Sequence, residues 1–567
     1  MNLSTTPTVG SPSTGEVDRL GLKNFKKEQF VNNRKAKILV FSPYAGIWPH
    51  QLQQTQLLKK YNFSDYEIIV VSCGGLLNRH CAVYESFGRE FDKKEQDQIC
   101  KKCGDSSRLT TKSLGVEEIK LVDYITTEEK SERLQLADAI LVSELSSFKF
   151  NDLDIGRLTA FETFIKYKKN EFSINQIEMV HWKNGIYQGL LAQLAGERII
   201  DVYGPDLVLS YSPQYAASAV FAAVCNKKSI PVYFMEGSVH LGERFEALQF
   251  WNWETHGLID PAIESFKLNG KSFETERDIN RINQHLKITE QSRSFGAYSV
   301  KKQKKYDVFA DFDIPKEMKV VLCTLSSTDE IFSGYVIGKI PLSHYEGRVF
   351  RTQFDWIHET IELAKKHQNI FFIIRLHPRM VSNRRENVVS PEVEKWRKLL
   401  NVLPQNVAVD YPEFKRSVSG YFDQIDLLIT GWSSTAIDAM AIGVPALSFD
   451  AAVSWFPPEV VYACTDENEY EVVILQKLQE GRNENNRVLA FAWLNHRLIK
   501  GTIPVPGRLI DRLHLNNIKI FEKMYGFVTK YTLIVVAGLE IVILPRKKQS
   551  IPIALSKLLN GESTSLH

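Results

Sequence analysis

Residues 426–450 read DLLITGWSSTAIDAMAIGVPALSFD, and the fold turns on this stretch. Asp426–Thr430 is an apolar run of strand length. Gly431 opens a sharp turn, Ser433-Ser434-Thr435 supply hydroxyls, a helix follows from Ser434 to Ile442, and Pro445–Phe449 is a further strand. Strand, turn, helix and strand at this spacing predict a parallel sheet covered by helices. Upstream, Lys319–Leu325 (KVVLCTL), Ile370–Leu376 (IFFIIRL) and Asn406–Asp410 read as strands of the same series, with an amphipathic helix over Phe354–His367. An earlier series has the same character. Its strands are Lys37–Phe41, Tyr66–Ser72, Asp206–Ser210 and Ile230–Phe234, with helices from Pro49 through Lys60 and over Ala216–Cys225. The expectation is an α/β chain of two Rossmann-like domains, neither with a GxGxxG turn, facing each other across a cleft.

The chain has 567 residues, too many for one core. Residues 1–34 read as a flexible leader, polar and rich in Ser, Thr, Pro and Gly. Residues 35–305 form the first domain, 306–500 the second and 501–567 a C-terminal extension. The polar segment 267–306 reads as an exposed helix and connector. With 70 basic and 67 acidic residues the formal net charge is +3, which argues against a nucleic-acid partner. No apolar stretch near the start suits an export signal. The longest apolar run, Tyr531–Pro545, is shorter than the ~20 residues that span a bilayer. A cytoplasmic protein is expected. The basic Arg546-Lys547-Lys548 beside that run gives peripheral contact with the inner membrane face as a second reading.

In open α/β sheets ligands sit beyond the carboxyl ends of the strands. Three loops there carry the chemistry. Ser326-Ser327-Thr328-Asp329-Glu330 follows one strand, and His377-Pro378-Arg379, preceded by Arg375, follows the next. Gly431–Thr435 follows a third. A helix start rich in hydroxyls attracts anions through unpaired amides and the dipole, although Ser and Thr are also ordinary caps. Arginines at the end of a buried strand need a partner, and a phosphate fits their paired donors. The expectation is that Arg375, Arg379, Ser327, Ser433, Ser434 and Thr435 bind donor phosphates, with the arginine and Gly431 loops on adjacent strands. His377 would donate to a phosphoryl oxygen or move a proton. Glu236, at the end of the Ile230–Phe234 strand, is the candidate base, with His240, Asp329 and the aromatic loop Ser42–His50 as lesser candidates.

Cys73, Cys81, Cys100 and Cys103 have the spacing C-x7-C-x18-C-x2-C. Two thiolates on the tight turn before Gly104, with a second pair, predict a closed structural zinc site in an insertion at 73–110. An iron–sulfur cluster is the less favoured occupant. Cys225, Cys323 and Cys464 stand in apolar surroundings and read as core. No catalytic metal is expected.

The run Ile374-Arg375-Leu376-His377-Pro378, with Asp426–Asp450 some fifty residues later, resembles the C-terminal domain of capsule and surface polysaccharide biosynthesis proteins. That group is similar to the CDP-glycerol glycerophosphotransferases and the capsule Kdo transferases. The resemblance covers residues 318–450 and implies the GT-B glycosyltransferase architecture, with Arg375, His377, Ser433, Ser434 and Thr435 around the donor phosphates and the first domain presenting the acceptor. Gly431-Trp432 stands where the teichoic enzymes usually carry Asp-Tyr, and Asp438 where many sugar-nucleotide enzymes carry Glu. The function implied is transfer of a sugar from a nucleotide-sugar donor to a saccharide or glycolipid acceptor. Glycerophosphate transfer from a CDP-alcohol, sugar-nucleotide 2-epimerisation and a non-catalytic scaffold are the alternatives.

Overall fold

The structure is a computed structural model. It describes residues 35–504 apart from 48–49, 52–53, 55–57, 59–65, 87–90, 240–246, 270–274, 291–306 and 384–385. The leader, His240, the apolar run Tyr531–Pro545 and the basic triplet after it lie outside the described residues.

The first sheet contains β1 (Ala36–Phe41), β2 (Tyr66–Ser72), β3 (Glu117–Lys120), β4 (Leu207–Tyr211), β5 (Val232–Gly237) and β6 (Ala247–Asn252). The first five are all parallel, in the spatial order β3-β2-β1-β4-β5, and β6 adds antiparallel to β5. The second sheet contains β7 (Lys319–Thr324), β8 (Ile370–Arg375), β9 (Val407–Asp410), β10 (Leu427–Thr430), β11 (Ala446–Ser448) and β12 (Tyr462–Ala463). Its order is β12-β11-β10-β7-β8-β9 with every pairing parallel. The chain then returns to the first sheet, where β13 (Ile503–Pro504) pairs antiparallel with β6. Thus the start of the expected C-terminal extension closes an edge of the first domain.

Counted within each domain, both sheets run 3-2-1-4-5, the doubly wound order of nucleotide-binding folds. In that order the chain reverses its direction of travel across the sheet after the third strand. The crevice opens at the reversal, between β1 and β4 in one sheet and between β7 and β10 in the other. One expectation is corrected here. The strands before Arg375–Arg379 and Gly431–Thr435, β8 and β10, are not adjacent, because β7 runs between them. At about 4.8 Å per strand their ends stand roughly 10 Å apart.

The helices used below are α1 (Lys93–Leu114), α2 (Phe161–Lys166), α3 (Gln176–Tyr203), α4 (Ala216–Lys227), α5 (Asp260–Asn269), α6 (Glu276–Glu290), α7 (Thr328–Val336), α8 (Gln353–Lys366), α9 (Thr435–Met440) and α10 (Glu484–Leu494). β7 and β8 are unbroken apolar runs because helices cover both faces. Val320, Leu322, Phe371 and Ile373 enter one core, and Val321, Cys323, Phe372 and Ile374 the other. Cys225 and Cys464 are likewise fully buried. The segment 267–306, read as an exposed helix and connector, takes in the last residues of α5 and all of α6, and both helices pack. Ala262 and Phe266 of α5 and Ile282 of α6 join the core that holds Val320 and Phe371. Ile282 is buried while most of α6 is polar, so one apolar stripe was enough to dock it.

The two domains touch through α2 and α7. Phe164 and Phe332 lie with ring centroids 5.6 Å apart, and Arg157 Nε donates to the Val336 carbonyl at 2.7 Å. Among the described residues no helix is long and apolar enough to cross a membrane.

Candidate functional site

The carboxyl ends of β7, β8 and β10 are in register, Thr324 lying beside both Arg375 and Thr430. Thr324 Oγ1 stands 3.4 Å from Thr435 Oγ1. The Thr435 hydroxyl donates to Ser433 Oγ at 2.9 Å, and the Thr435 amide to the same oxygen at 3.4 Å. Ser433 therefore caps this start, while the exposed Ser434 makes no side-chain cap. α9 has only six residues, shorter than the expected helix, so little dipole accrues. The hydroxyl row is the stronger anion feature. β7, the strand that sequence order hid in the middle, adds to it. Ser326 Oγ is buried at its end without a hydrogen-bond partner among the described residues. Ser327 Oγ donates to Asp329 Oδ1 at 2.5 Å.

The two arginines expected at a phosphate are turned to protein partners. Arg379 is 1% exposed. Its Nε donates to Asp329 Oδ2 and its Nη1 to Glu386 Oε2, both at 2.7 Å, and Nη2 donates to the Ile165 carbonyl. Arg375 pairs with Asp410 and donates to the Arg416 carbonyl. A strand-end cation does need a partner, as the sequence implied. Carboxylates on α7, on β9 and at 386 supply one from within.

His377 lies between them. Its Nδ1 accepts the Arg379 amide at 3.3 Å, which leaves the proton of a neutral ring on Nε2. Burial, then Arg379, Arg375 and Lys168, push its pKa down to about 3. The ring is thus a neutral donor set in a positive field. Lys168, which sequence reading passed over, is buried and donates to the Val381 and Val388 carbonyls at 2.7 and 2.5 Å. Burial and Arg379 lower its pKa to about 8. On α9, burial pushes Asp438 up to about 7, a perturbation typical of functional sites.

At the crevice of the first sheet, His50 stacks on Tyr211 with centroids 3.5 Å apart, and Tyr44 lies 5.5 Å from Tyr215. The buried Tyr44 hydroxyl has no hydrogen-bond partner among the described residues. Glu162 Oε2 accepts the Ala216 amide at 2.7 Å and lies 3.6 Å from His80 Nε2. His80 packs edge-on against His181. Glu162 was not singled out from the sequence as a site residue, and His80 was weighed only as a replacement ligand for the four-cysteine site. The one signal for Glu162 was a carboxylate inside the apolar run TAFETF. Glu236, the expected base, stands at the end of β5, part-exposed and 3.1 Å from His256 Nε2.

The two rims meet on α2. Glu162 binds the start of α4 behind β4, and Ile165, three residues on, accepts from Arg379 behind β8. Three helical residues rise only about 4.5 Å. A depression lined by Met440, Pro445, Tyr462, Lys477 and Asn483 lies instead at the amino end of β11, away from these groups.

The four clustered cysteines come from three segments. Cys73 follows β2, Cys81 precedes the turn Ala82–Glu85, and Cys100 and Cys103 lie on α1. Gly104 is inside that helix, so the tight turn expected there is a helical turn. Among the described residues no three His, Cys, Asp or Glu are spaced to hold a metal as they stand.

Two doubly wound sheets whose carboxyl rims share one short helix define the class, an α/β chain with paired Rossmann-like domains. No family model matches the chain, and no curated protein matches it significantly. Among solved structures it is similar to the β-Kdo 2,4-transferase KpsC of Thermosulfurimonas dismutans, at 12% identity over 51% of this chain and 80% of that one, TM-score 0.29. It is also similar to the UDP-GlcNAc 2-epimerase of Neisseria meningitidis (13%, 82% and 97%, TM-score 0.26) and to a glycosyltransferase of Rickettsia africae (9%, 87% and 99%, TM-score 0.29). Identities of 13% or less and TM-scores of 0.29 or less leave these likenesses without weight. The strand order and the rims stand on their own.

Proposed function

We propose that the chain is a glycosyltransferase that moves a sugar from a nucleotide-sugar donor, held at the β7–β10 crevice, to a saccharide or glycolipid acceptor at the β1–β4 crevice. The observation that carries this reading is the meeting of both rims on α2. Donor phosphates rest on the hydroxyls of Ser326, Ser433 and Thr435 and on His377 Nε2–H. Arg375, Arg379 and Lys168 act one layer back, holding His377 neutral and the field positive. In the reaction an acceptor hydroxyl attacks the anomeric carbon and its proton passes to Glu236. The bond from that carbon to the phosphate oxygen breaks, and the departing nucleotide's charge is met by fixed donors. Asp438 faces the nucleoside.

Titration calorimetry with UDP, CDP, CMP and ADP tests the donor side, and one of them is expected to bind. Glu236→Gln should lower turnover at least about a hundredfold with nucleotide affinity unchanged, whereas His377→Ala should weaken binding by about tenfold or more. Absence of heat with all four nucleotides would sink the proposal. Release of glycerophosphate units from a CDP-alcohol, or conversion of a nucleotide sugar without acceptor, would replace it.

A further inference from the structure

We propose that Arg497, held between Trp251 and Trp493, binds an acidic group, a carboxylate or a phosphate, carried by the acceptor. The anion site itself stands on the packing around Arg497. Giving the anion to the acceptor rests on the transferase reading, because Glu236 lies on the same sheet face.

Arg497 lies on the π-helical turn Asn495–Lys500, where the chain leaves α10 and crosses back to β13. Such turns recur at functional sites. The guanidinium carbon is 5.8 Å from the ring centroid of Trp251 and 5.8 Å from that of Trp493. Trp251 belongs to β6 of the first sheet, and Trp493 to α10 in a core of the second domain. One indole from each lobe thus brackets the cation, within the ~6 Å at which ring faces attract it. The rings fix its place but offer no lone pair to its N–H donors.

Among the described residues Arg497 has no ion-pair partner, and its side chain no hydrogen-bond acceptor. Burial pulls its pKa down to about 10, with no carboxylate to raise it. Other arginines that sink into the fold are engaged. Carboxylates hold Arg375, Arg379 and Arg416, and carbonyls hold Arg157 and Arg482. Arg497 is part-exposed, so a ligand can reach it. A stacked planar fork of donors matches the two oxygens of a carboxylate or phosphate. A neutral hydroxyl would leave the charge uncompensated.

Across β5 and β6, Phe234 pairs with Trp251 and Glu236 with Gln249. Glu236, Gln249 and Trp251 therefore share one face, and the diagonal from Glu236 to Trp251 spans about 7–8 Å. Gln249 Nε2 donates to the Arg497 carbonyl at 3.4 Å, which ties the π turn to that face. Glu236 is engaged by His256 at 3.1 Å. An acceptor anchored by its acid at Arg497 presents a hydroxyl of the same sugar to Glu236.

The test uses the full chain, its donor site filled by saturating nucleotide, and reads indole fluorescence. Glucuronate, glucose 6-phosphate and glucose are titrated in turn. A saturable change with an acidic probe and none with glucose is expected, and the tighter probe tells carboxylate from phosphate. Arg497→Gln should weaken that binding at least about tenfold. Arg497→Lys should weaken it too, since a point charge lacks the paired donors. Nucleotide affinity should hold in both. If Arg497→Gln does not fold, Arg497→Lys decides. Silence with both acidic probes, an equal response to glucose, or wild-type affinity in the variants would overturn the site. Nucleotide heats that persist beside that silence would leave the transferase reading standing. Should no nucleotide bind, the same titrations without it still decide the anion site.

Discussion

Arg379 ties two carboxylates of the second domain to α2 of the first. It is a fully buried guanidinium engaged by Asp329, Glu386 and the Ile165 carbonyl. Removing one partner of a buried ionic group leaves the other charges stranded, which costs about 3–5 kcal/mol. Arg379→Met should therefore lower the unfolding free energy by that amount in a denaturant titration, while Arg375→Met, whose partners Asp410 and Arg416 also hold each other, should lower it less. The sequence made both arginines visible as cations needing an anion. It could not say which anion, because Asp329 and Glu386 lie 50 and 7 residues from Arg379 and only folding brings them together. Lys168 was illegible for the same reason, since its partners are carbonyls more than two hundred residues away.

Helices here are held by local rules that a single glycine can test. Gly156 packs so closely that an added Cβ would lie 1.9 Å from the Leu145 carbonyl oxygen, whereas Gly104, inside α1, has nothing within 4 Å. Gly156→Ala should destabilise by about 1–3 kcal/mol. Gly104→Ala should stabilise by about 0.5–1 kcal/mol, because alanine restricts the unfolded chain and favours the helix. Thermal unfolding of the two variants checks both signs. At this scale the reading from sequence was good where periodicity or apolar runs were strong. β7, β8 and α8 fall within a residue or two of the predicted ranges. It failed where one apolar stripe decided the outcome, as in α6, and where spatial order departs from chain order, as when β7 came to lie between β8 and β10.

The molecule as a whole carries a charge balance that acid should disturb. His377 and His181 have pKa values pushed down to about 3 and 4, by burial first and then by Arg379 and by His80 respectively. Unfolded, each binds a proton near pH 6.5. Below that pH the unfolded state holds more protons, so the stability contributed by the neutral rings is complete above about 6.5 and is lost as pH falls toward 4 and 3. Denaturation midpoints measured at pH 7.5, 6.5 and 5.5 should decline across the last interval, and His377→Gln should flatten that decline. A slope unchanged in the variant would remove His377 from the account. The short strand β13 has a different consequence. Because the polypeptide goes out to the second lobe and comes back to the edge of the first, the lobes are strung on two covalent tethers. Two tethers suppress free tumbling and favour a rocking motion about the line that joins them, so the gap between the lobes should open like a book on its spine.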